Sequence, residues 1–549
     1  MSRIQVLATP VVPVAERLRR IEAEPLHDNI AALLAAAAAE CGEKLAWHFF
    51  ESDEKASYRE VFERVHALAH GLADLGVRQG SHVAVMLSNI AAFPTAWLAL
   101  AVSGAVMVPV NISYRERELA YVVNDSEAEF IIIDASALPV LEAARASGSI
   151  TLADDRIVVV GGDKVPYSAW DSCFPAERGE FRPLQPVTRE DLVNIQYTSG
   201  TTGFPKGCML TQGYWIVAGK VNAFRDGRRY ERILASTPFF YMDPQWLLLM
   251  TFYQRGTLFV AARQSASRFI SWVKRFEINF CLLPLLAYKQ PPTENDRCDS
   301  IVRANMYGAP KELHAAIEAR FDLNAREAFG MTELGPTLFL PIEAHDMVGS
   351  GSCGMQGPFR RCRIVNEAGE TVGPGEHGEL EVQGTGIFKG YYKRPEATEQ
   401  AFRDGWFRTG DVFRRDERGF FYILGRTKDM IRRSSENIAA REVEAVLQGV
   451  ETVAEAAVVP VPDEIRGEEV KAYIVLEDGK TGDARMIDAI IAHCSANLAP
   501  FKVPRFYEFR NALPKTASMK IAKHVLRSET TDMRAGSYDR VSGTWVKVS

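Results

Sequence analysis

The twenty residues from Ala91 to Val110 carry no charged side chain, and an apolar run of that length has only two stable environments. One is the bilayer, which about 20 apolar helical residues can span. The other is a protein interior that surrounds the segment on every side. Pro94, Gly104 and Pro109 interrupt the run, and Val106–Val110 has the composition of a strand. Proline and glycine break a continuous helix, so the segment reads as a buried helix running into a central parallel strand. Such a strand needs helices on both faces of its sheet, which confines the chain to a layered α/β fold.

The flanking sequence alternates accordingly. Asn29–Cys41 is alanine-rich and helical, Leu45–Phe50 reads as a strand, and Tyr58–Leu75 has apolar residues at helical spacing before Gly76. His82–Leu87, Val106–Asn111 and Phe130–Asp134 read as strands, separated by helices at Ile90–Ser103 and Glu116–Asn124. This alternation predicts a doubly wound α/β domain with mixed or parallel sheets. It resumes at Leu192–Gln196 and continues through Ile233–Pro238, Thr257–Ala261 and Ile278–Pro284. From Gly354 the short strands Arg363–Asn366, Gly378–Gln383 and Phe420–Leu424 stand between glycine- and charge-rich turns, which predicts a β subdomain. Beyond Arg426, helices Arg441–Leu447 and Ala484–Asn497 and strands Glu455–Pro460 and Lys471–Glu477 predict a small α+β unit. The expected division is residues 1–427 as a large N-terminal domain and 428–549 as a mobile lid, with the charged stretch Thr427–Arg433 as hinge. The polar tail from Ser528 is expected to pack loosely.

With 549 residues, at least two domains are expected. A formal charge of −6 gives no reason to propose nucleic acid or an anionic membrane as partner. The eight cysteines are scattered without a C-x-x-C pair. That argues against a disulfide framework and a structural zinc site, and fits a reducing cytoplasm. The first 25 residues mix Arg and Glu without an apolar core, so no signal peptide is expected.

The chemistry begins after Leu192–Gln196, in Tyr197-Thr198-Ser199-Gly200-Thr201-Thr202-Gly203-Phe204-Pro205-Lys206-Gly207. A loop so rich in glycine and hydroxyls exposes backbone N–H groups that can wrap a polyphosphate, with Lys206 as a point charge. It is not the Walker loop, because Pro205 and Gly207 flank the lysine and no helix can start there. Read alone, it could also be a flexible surface linker. Ala328-Phe329-Gly330-Met331-Thr332-Glu333 places a carboxylate among apolar residues: Glu333 suits Mg²⁺ and Thr332 a phosphate oxygen, unless the pair merely caps a helix. Asp411, ending Trp406-Phe407-Arg408-Thr409-Gly410-Asp411, is either a two-oxygen acceptor or an Asx-turn residue.

With Gly425-Arg426-Thr427-Lys428-Asp429 and Leu513-Pro514-Lys515-Thr516-Ala517-Ser518-Met519-Lys520-Ile521, these segments resemble, in order, the motifs of the adenylate-forming superfamily. That superfamily holds acyl- and aryl-CoA ligases, luciferases and peptide-synthetase adenylation domains. The resemblance implies that Thr198, Ser199, Gly200, Thr201, Thr202, Gly203 and Lys206 hold the ATP phosphates. It puts Thr332 on the α-phosphate and Glu333 on Mg²⁺. Gly308, Ala309 and Pro310 would lie along the adenine with Phe329, Gly330 and Met331, Asp411 would accept both ribose hydroxyls, and Arg426 would lie near the ribose. Lys428 becomes the pivot, Lys520 the catalytic lysine, and Ser434, Ser435 and Glu436 the lining of the pantetheine tunnel. The chain departs from the pattern at Met519 and at Ser434-Ser435, where glycines are usual, and at Phe329, where tyrosine is usual.

Tyr241-Met242-Asp243-Pro244-Gln245, Ser265-Ala266-Ser267-Arg268 and Gln290–Asp296 resemble the crotonobetaine/carnitine–CoA ligase branch in particular. The implied activity is an acid–CoA ligase using ATP, Mg²⁺ and CoA, by way of an acyl-adenylate, with a homodimer as the assembly considered. The alternatives are an enzyme that loads a carrier-protein thiol and an impaired protein that only binds an adenylate; pyrophosphate release on a panel of acids discriminates. Tyr241, Asp243, Trp246, Met306 and Met331 are expected to line a pocket for a short, medium or polar acid. Asp243 would select a betaine-like cation if it faces inward, and would be a plain loop residue if it faces out.

Overall fold

The computed structural model describes residues 12–162, 166–176, 178–198, 205–309, 311–366, 368–426, 430–434, 436–515, 521 and 523–547. The uncharged run is core: Ala92–Ser103 is a helix buried along almost its whole length, Gly104 ends it at φ 72°, and Val106–Pro109 is a strand of four buried residues. Among the described residues no helix is long and apolar enough to cross a membrane.

That strand sits inside a seven-stranded sheet, ordered Ser168–Ala169, Ile157–Val160, Phe130–Asp134, His82–Met86, Val106–Pro109, Leu192–Thr198 and Lys206–Thr211. The strands run parallel until the last pair, where Leu192–Thr198 and Lys206–Thr211 are antiparallel. A second sheet has nine strands among the described residues, with Arg303–Met306 and Ala325–Met331 parallel near its centre and the hairpin partner Gly335–Phe339 toward one edge. The doubly wound expectation holds. The helix Gln212–Phe224 is capped by the Thr211 hydroxyl, which accepts from the Tyr214 N–H, and has buried residues on every side.

Buried polar contacts tie these layers to one another. Trp97 Nε1 donates to Asn194 Oδ1 at 2.9 Å, Asn194 Nδ2 to Gln245 Oε1 at 3.0 Å, and Gln245 Nε2 to the Phe239 carbonyl at 3.0 Å. Each group is inaccessible to water, so losing a partner costs about 1–3 kcal/mol. The chain of bonds thereby holds the strand before the glycine-rich loop in register with the segment Phe239–Tyr241.

The expected β subdomain is an antiparallel sheet of Arg360–Val365, His377–Gly384, Trp406–Arg415, Phe402–Arg403 and Phe421–Arg426. The C-terminal unit has its own sheet, built on the long pair Val453–Asp463 and Gly467–Leu476, with a core that includes Ile431, Val458, Ile474, Ile487 and Tyr507. Within the stretch expected as hinge, Met430–Arg433 is a strand paired with Glu436–Ala439, with Ile431 and Ile438 buried opposite each other. One expectation needs correction there. The tail is not loose: Tyr538–Asp539 and Thr544–Trp545 extend the sheet, and Arg505 ties Asp539 by two bonds of 3.1 Å. A polar tail still orders when its charges find buried counter-charges.

Candidate functional site

The ends of strands from both large sheets, the β subdomain and the C-terminal unit surround one cavity of about 1760 Å³. A pocket for one drug-sized ligand spans roughly 300–1,000 Å³, so this space suits a nucleotide and a second substrate together. Its position beyond the carboxyl ends of parallel strands is the usual ligand crevice of open α/β sheets.

Thr198 and Lys206 face each other across the antiparallel pair and both line the cavity. The glycine-rich segment therefore joins two strands, as the argument against a Walker loop requires; Ser199, Gly200, Thr201, Thr202 and Gly203 lie outside the described residues. Both shoulders of the loop are anchored from the helix Glu116–Asp125. Tyr197 donates to Asp125 Oδ2 at 2.8 Å, and Tyr121 to the Pro205 carbonyl at 2.7 Å. Gly207 is required by close packing, since a Cβ there would stand 2.5 Å from Ile195 Cγ2.

Lys206 Nζ lies 4.2 Å from the centre of the Tyr391 ring, whose hydroxyl donates to Glu333 Oε1 at 2.8 Å. Lysine, tyrosine and carboxylate thus converge on one wall. Thr332 and Glu333 occupy the turn between Ala325–Met331 and Gly335–Phe339, so the helix-cap alternative fails: the element is a hairpin. Among the described residues no cluster of three or more His, Cys, Asp or Glu could hold a metal. A lone carboxylate is the donor set that fits Mg²⁺ arriving with phosphate ligands, because that ion keeps substrate oxygens and waters and needs only one or two carboxylates.

Gly308 takes φ 65°, and its N–H and that of Ala309 donate to Glu327 at 3.2 and 2.9 Å. Glu327 is buried and lines the cavity, and burial pushes its carboxyl up to about 7 despite those two donors. It was not singled out from sequence; its only signal is a carboxylate inside an apolar strand. Phe329 lines the cavity and meets Phe413 edge-on at 5.1 Å between ring centres, with Gly330 and Met331 beside it on the wall. Asp411, 1% exposed, lies on the cavity opposite Arg426 in the strand register. The Arg426 side chain, Pro310, Lys428, Ser435 and Lys520 lie outside what the structure describes.

Of the residues expected at the acyl pocket, Tyr241, Asp243, Trp246 and Met331 line the cavity. Met306 does not, which corrects the expectation. It is fully buried in the apolar cluster with Ile317 and Phe321, and the next residue, Tyr307, stands on the cavity instead. Alternation along the strand decides this. Asp243 faces inward, so the outward-loop alternative also fails. Among the described residues the partner of its carboxylate is Trp246 Nε1, donating at 3.0 Å. Burial pushes the Asp243 carboxyl up to about 6.

The C-terminal unit closes the remaining side. Ser434 and Glu436 line the cavity, and the Tyr241 hydroxyl donates to Glu436 Oε2. Ser434 holds φ 57°, a left-handed conformation that glycine adopts without strain. Lys502 Nζ joins Glu442 Oε1 at 2.8 Å to Glu118 Oε1 at 3.1 Å on the other side of the cleft. Tyr391, Arg225 and Lys502 also escaped sequence reasoning, since each is an ordinary residue type until packing brings it to the cavity.

The family description "AMP-binding enzyme" matches residues 34–392, and "AMP-binding enzyme C-terminal domain" matches 442–520. The chain is 31% identical to a crotonobetaine/carnitine–CoA ligase of Proteus mirabilis over 496 residues, covering 86% of this chain and 93% of that one. It is 34% identical to a feruloyl-CoA synthase of an Amycolatopsis species over 481 residues, with the same coverage of each. Among solved structures, o-succinylbenzoate CoA synthetase of Bacillus subtilis bound to a product analogue, OSB-NCoA, superposes with a TM-score of 0.79 at 27% identity, covering 91% of this chain and 98% of that one. The same enzyme with the acyl-adenylate OSB-AMP gives 0.65 at 27% identity, covering 93% and 100%. The chain therefore belongs to the AMP-binding enzyme family, as an AMP-forming acyl-CoA ligase that uses ATP, Mg²⁺ and CoA.

Proposed function

We propose that the protein joins CoA to a small carboxylic acid bearing a cationic group, in two half-reactions at one site. In the first, the acid attacks the α-phosphate of ATP and pyrophosphate leaves. Lys206 and the loop it ends hold the phosphates, Thr332 donates to the α-phosphate, and Lys520 adds positive charge where charge builds up. Glu333, oriented by Tyr391, would hold Mg²⁺, which when bound neutralises phosphate charge. Asp411 takes the ribose and the Gly308 turn the adenine. In the second half-reaction the CoA thiol attacks the acyl-adenylate and AMP leaves.

Residues 428–549 act as the lid on this reading, pivoting at Lys428. Ser434 facing the cavity and the Tyr241–Glu436 contact support a thioester-forming position of the lid. The greater likeness to the CoA-analogue complex, of a double mutant of o-succinylbenzoate CoA synthetase, than to the adenylate complex of that enzyme supports it as well. Eight free cysteines support a cytoplasmic location.

The observation that carries the acid class is Asp243. An ionised carboxylate on a half-buried cavity wall, met among the described residues by an indole N–H, is costly unless a cation joins it. Trp246, Tyr241 and Tyr307 add aromatic faces that favour a quaternary or protonated amine. The test compares kcat/KM, read as pyrophosphate release, for γ-trimethylammonio-butyrate and its tert-butyl carbon isostere. Wild type should prefer the cation by about tenfold or more and Asp243→Asn should not. Equal use of both acids by the wild type leaves a ligase for neutral acids.

A further inference from the structure

Arg225 follows the last turn of Gln212–Phe224 and is 2% exposed, yet it lines the same cavity. Its charge has no carboxylate of its own. The neighbouring Asp226 steadies that charge only from a distance, its Oδ1 standing 2.8 Å from Arg303 Nη1 and its Oδ2 accepting from the Tyr230 hydroxyl at 2.9 Å. Arg225 Nη2 reaches only an amide oxygen, Asn305 Oδ1 at 3.1 Å, which also accepts from Arg303 Nε at 2.7 Å. Among the described residues Arg225 Nε has no acceptor at all. A buried guanidinium with an unspent N–H beside a second arginine is costly; one side of it stands over the Phe339 ring at 5.5 Å, and the cavity it lines has room for an acceptor.

Asp243 does not fill that role. The two residues form no ion pair among the described residues, and Asp243 is held only by Trp246. Both act electrostatically on Tyr307, which stands on the cavity between their influences. One cavity end thus carries a half-buried carboxylate and a buried guanidinium that form no ion pair among the described residues.

We infer that Arg225 is a second specificity residue of the acyl pocket, donating to an oxygen on the distal half of the acid while Asp243 meets its cation. The inference rests on the reading of this cavity end as the acyl site and narrows the acid from cationic to dipolar. The oxygen is a hydroxyl or a carboxylate, both of which accept from a guanidinium N–H.

The experiment measures kcat/KM for pyrophosphate release with four acids: γ-trimethylammonio-butyrate, its tert-butyl isostere, its β-hydroxy derivative, and the derivative carrying a carboxylate on the carbon that bears nitrogen. Ratios between acids are taken within each protein, so a variant that is partly unfolded does not alter them. Wild type should use at least one oxygen-bearing acid about tenfold or more better than the plain betaine, since a site built to hydrogen-bond a group discriminates strongly against its absence. In Arg225→Lys and Arg225→Gln that advantage should vanish, whereas the ratio of plain betaine to isostere should be kept. In Asp243→Asn the reverse should hold. Tyr307→Phe, which removes one hydroxyl from the cavity, should keep most of both ratios. The inference is overturned if neither oxygen-bearing acid has an advantage in wild type, or if the advantage survives both Arg225 variants. A wild type that ignores the cation yet keeps an Arg225-dependent oxygen preference overturns the cationic reading and leaves Arg225 as the specificity residue.

Discussion

Replacing Lys502 by methionine should separate the two half-reactions. The ammonium stands 3.1 Å from Glu118 and 2.8 Å from Glu442, and all three side chains are buried. Glu118 belongs to the helix Glu116–Asp125 beside the glycine-rich loop, whereas Glu442 and Lys502 belong to the C-terminal unit. At an effective dielectric constant of about 20, each contact is worth about 5 kcal/mol of gross Coulomb attraction, most of it offset by desolvation. Removing the cation leaves two buried carboxylates facing each other, a loss of about 3–5 kcal/mol for the docked lid. On the proposed swing of the lid, both carboxylates regain water and the penalty disappears. Acyl-CoA formation from supplied acyl-adenylate should therefore fall on the order of 10²–10³-fold, while pyrophosphate release changes little. Burial, and Glu442 after it, raise the Glu118 carboxyl even with Lys502 present. In the variant this group should take up a proton as pH falls, so the deficit should shrink from pH ~8 to ~5.5. Adding Glu118→Gln should relieve it at every pH. The assay is single-turnover thioesterification beside steady-state pyrophosphate release. Equal loss in both half-reactions, or a deficit that does not change with pH, refutes the latch.

Because burial raises Asp243 to about 6, the carboxylate loses its charge as pH falls through that value; kcat/KM for a cationic acid should drop about tenfold per pH unit below it, a limb absent with the neutral isostere and in Asp243→Asn. Tyr391→Phe deletes the hydroxyl that donates to Glu333 and should raise the Mg²⁺ concentration for half-maximal pyrophosphate release about 10–100-fold, with an unchanged requirement counting against Glu333 as the metal ligand. Ser434→Gly relieves a residue at φ 57°; a left-handed serine costs about 1–2 kcal/mol and glycine adds back about 0.5–1, so Tm should hold or rise, and a clear fall would mean the serine hydroxyl makes up for the strain. Lys520→Ala should lower pyrophosphate release by roughly 10²–10³-fold or more while sparing thioesterification of supplied acyl-adenylate; a near wild-type first half-reaction would assign the catalytic lysine elsewhere.

Much of the nucleotide side is legible from the chain because its determinants are local. A glycine-rich stretch after a strand, a carboxylate in a hairpin turn and an aspartate in the middle of Trp406–Arg415 each occupy a few consecutive residues, and the described ones, Thr198, Lys206, Glu333 and Asp411, line one cavity. The acyl side is less legible. Met306 and Tyr307 differ by one position, and whichever faces the cavity is set by the phase of a strand whose register depends on its neighbours. Ser528 onward looks loose because its stabilising partners, such as Arg505, lie far back in the chain.

The uncharged run Ala91–Val110, the alternation around it and the order of the motifs determine by themselves that the chain folds as layered α/β domains around a nucleotide crevice. Only the tertiary structure decides which of many ordinary side chains become functional. Glu327, Tyr391, Arg225 and Lys502 owe their place at the cavity to partners at Gly308, Glu333, Asn305 and Glu118. Charge, reach and burial depend on distances through space, and for pairs such as Lys502 and Glu118 the intervening chain carries no trace of that proximity.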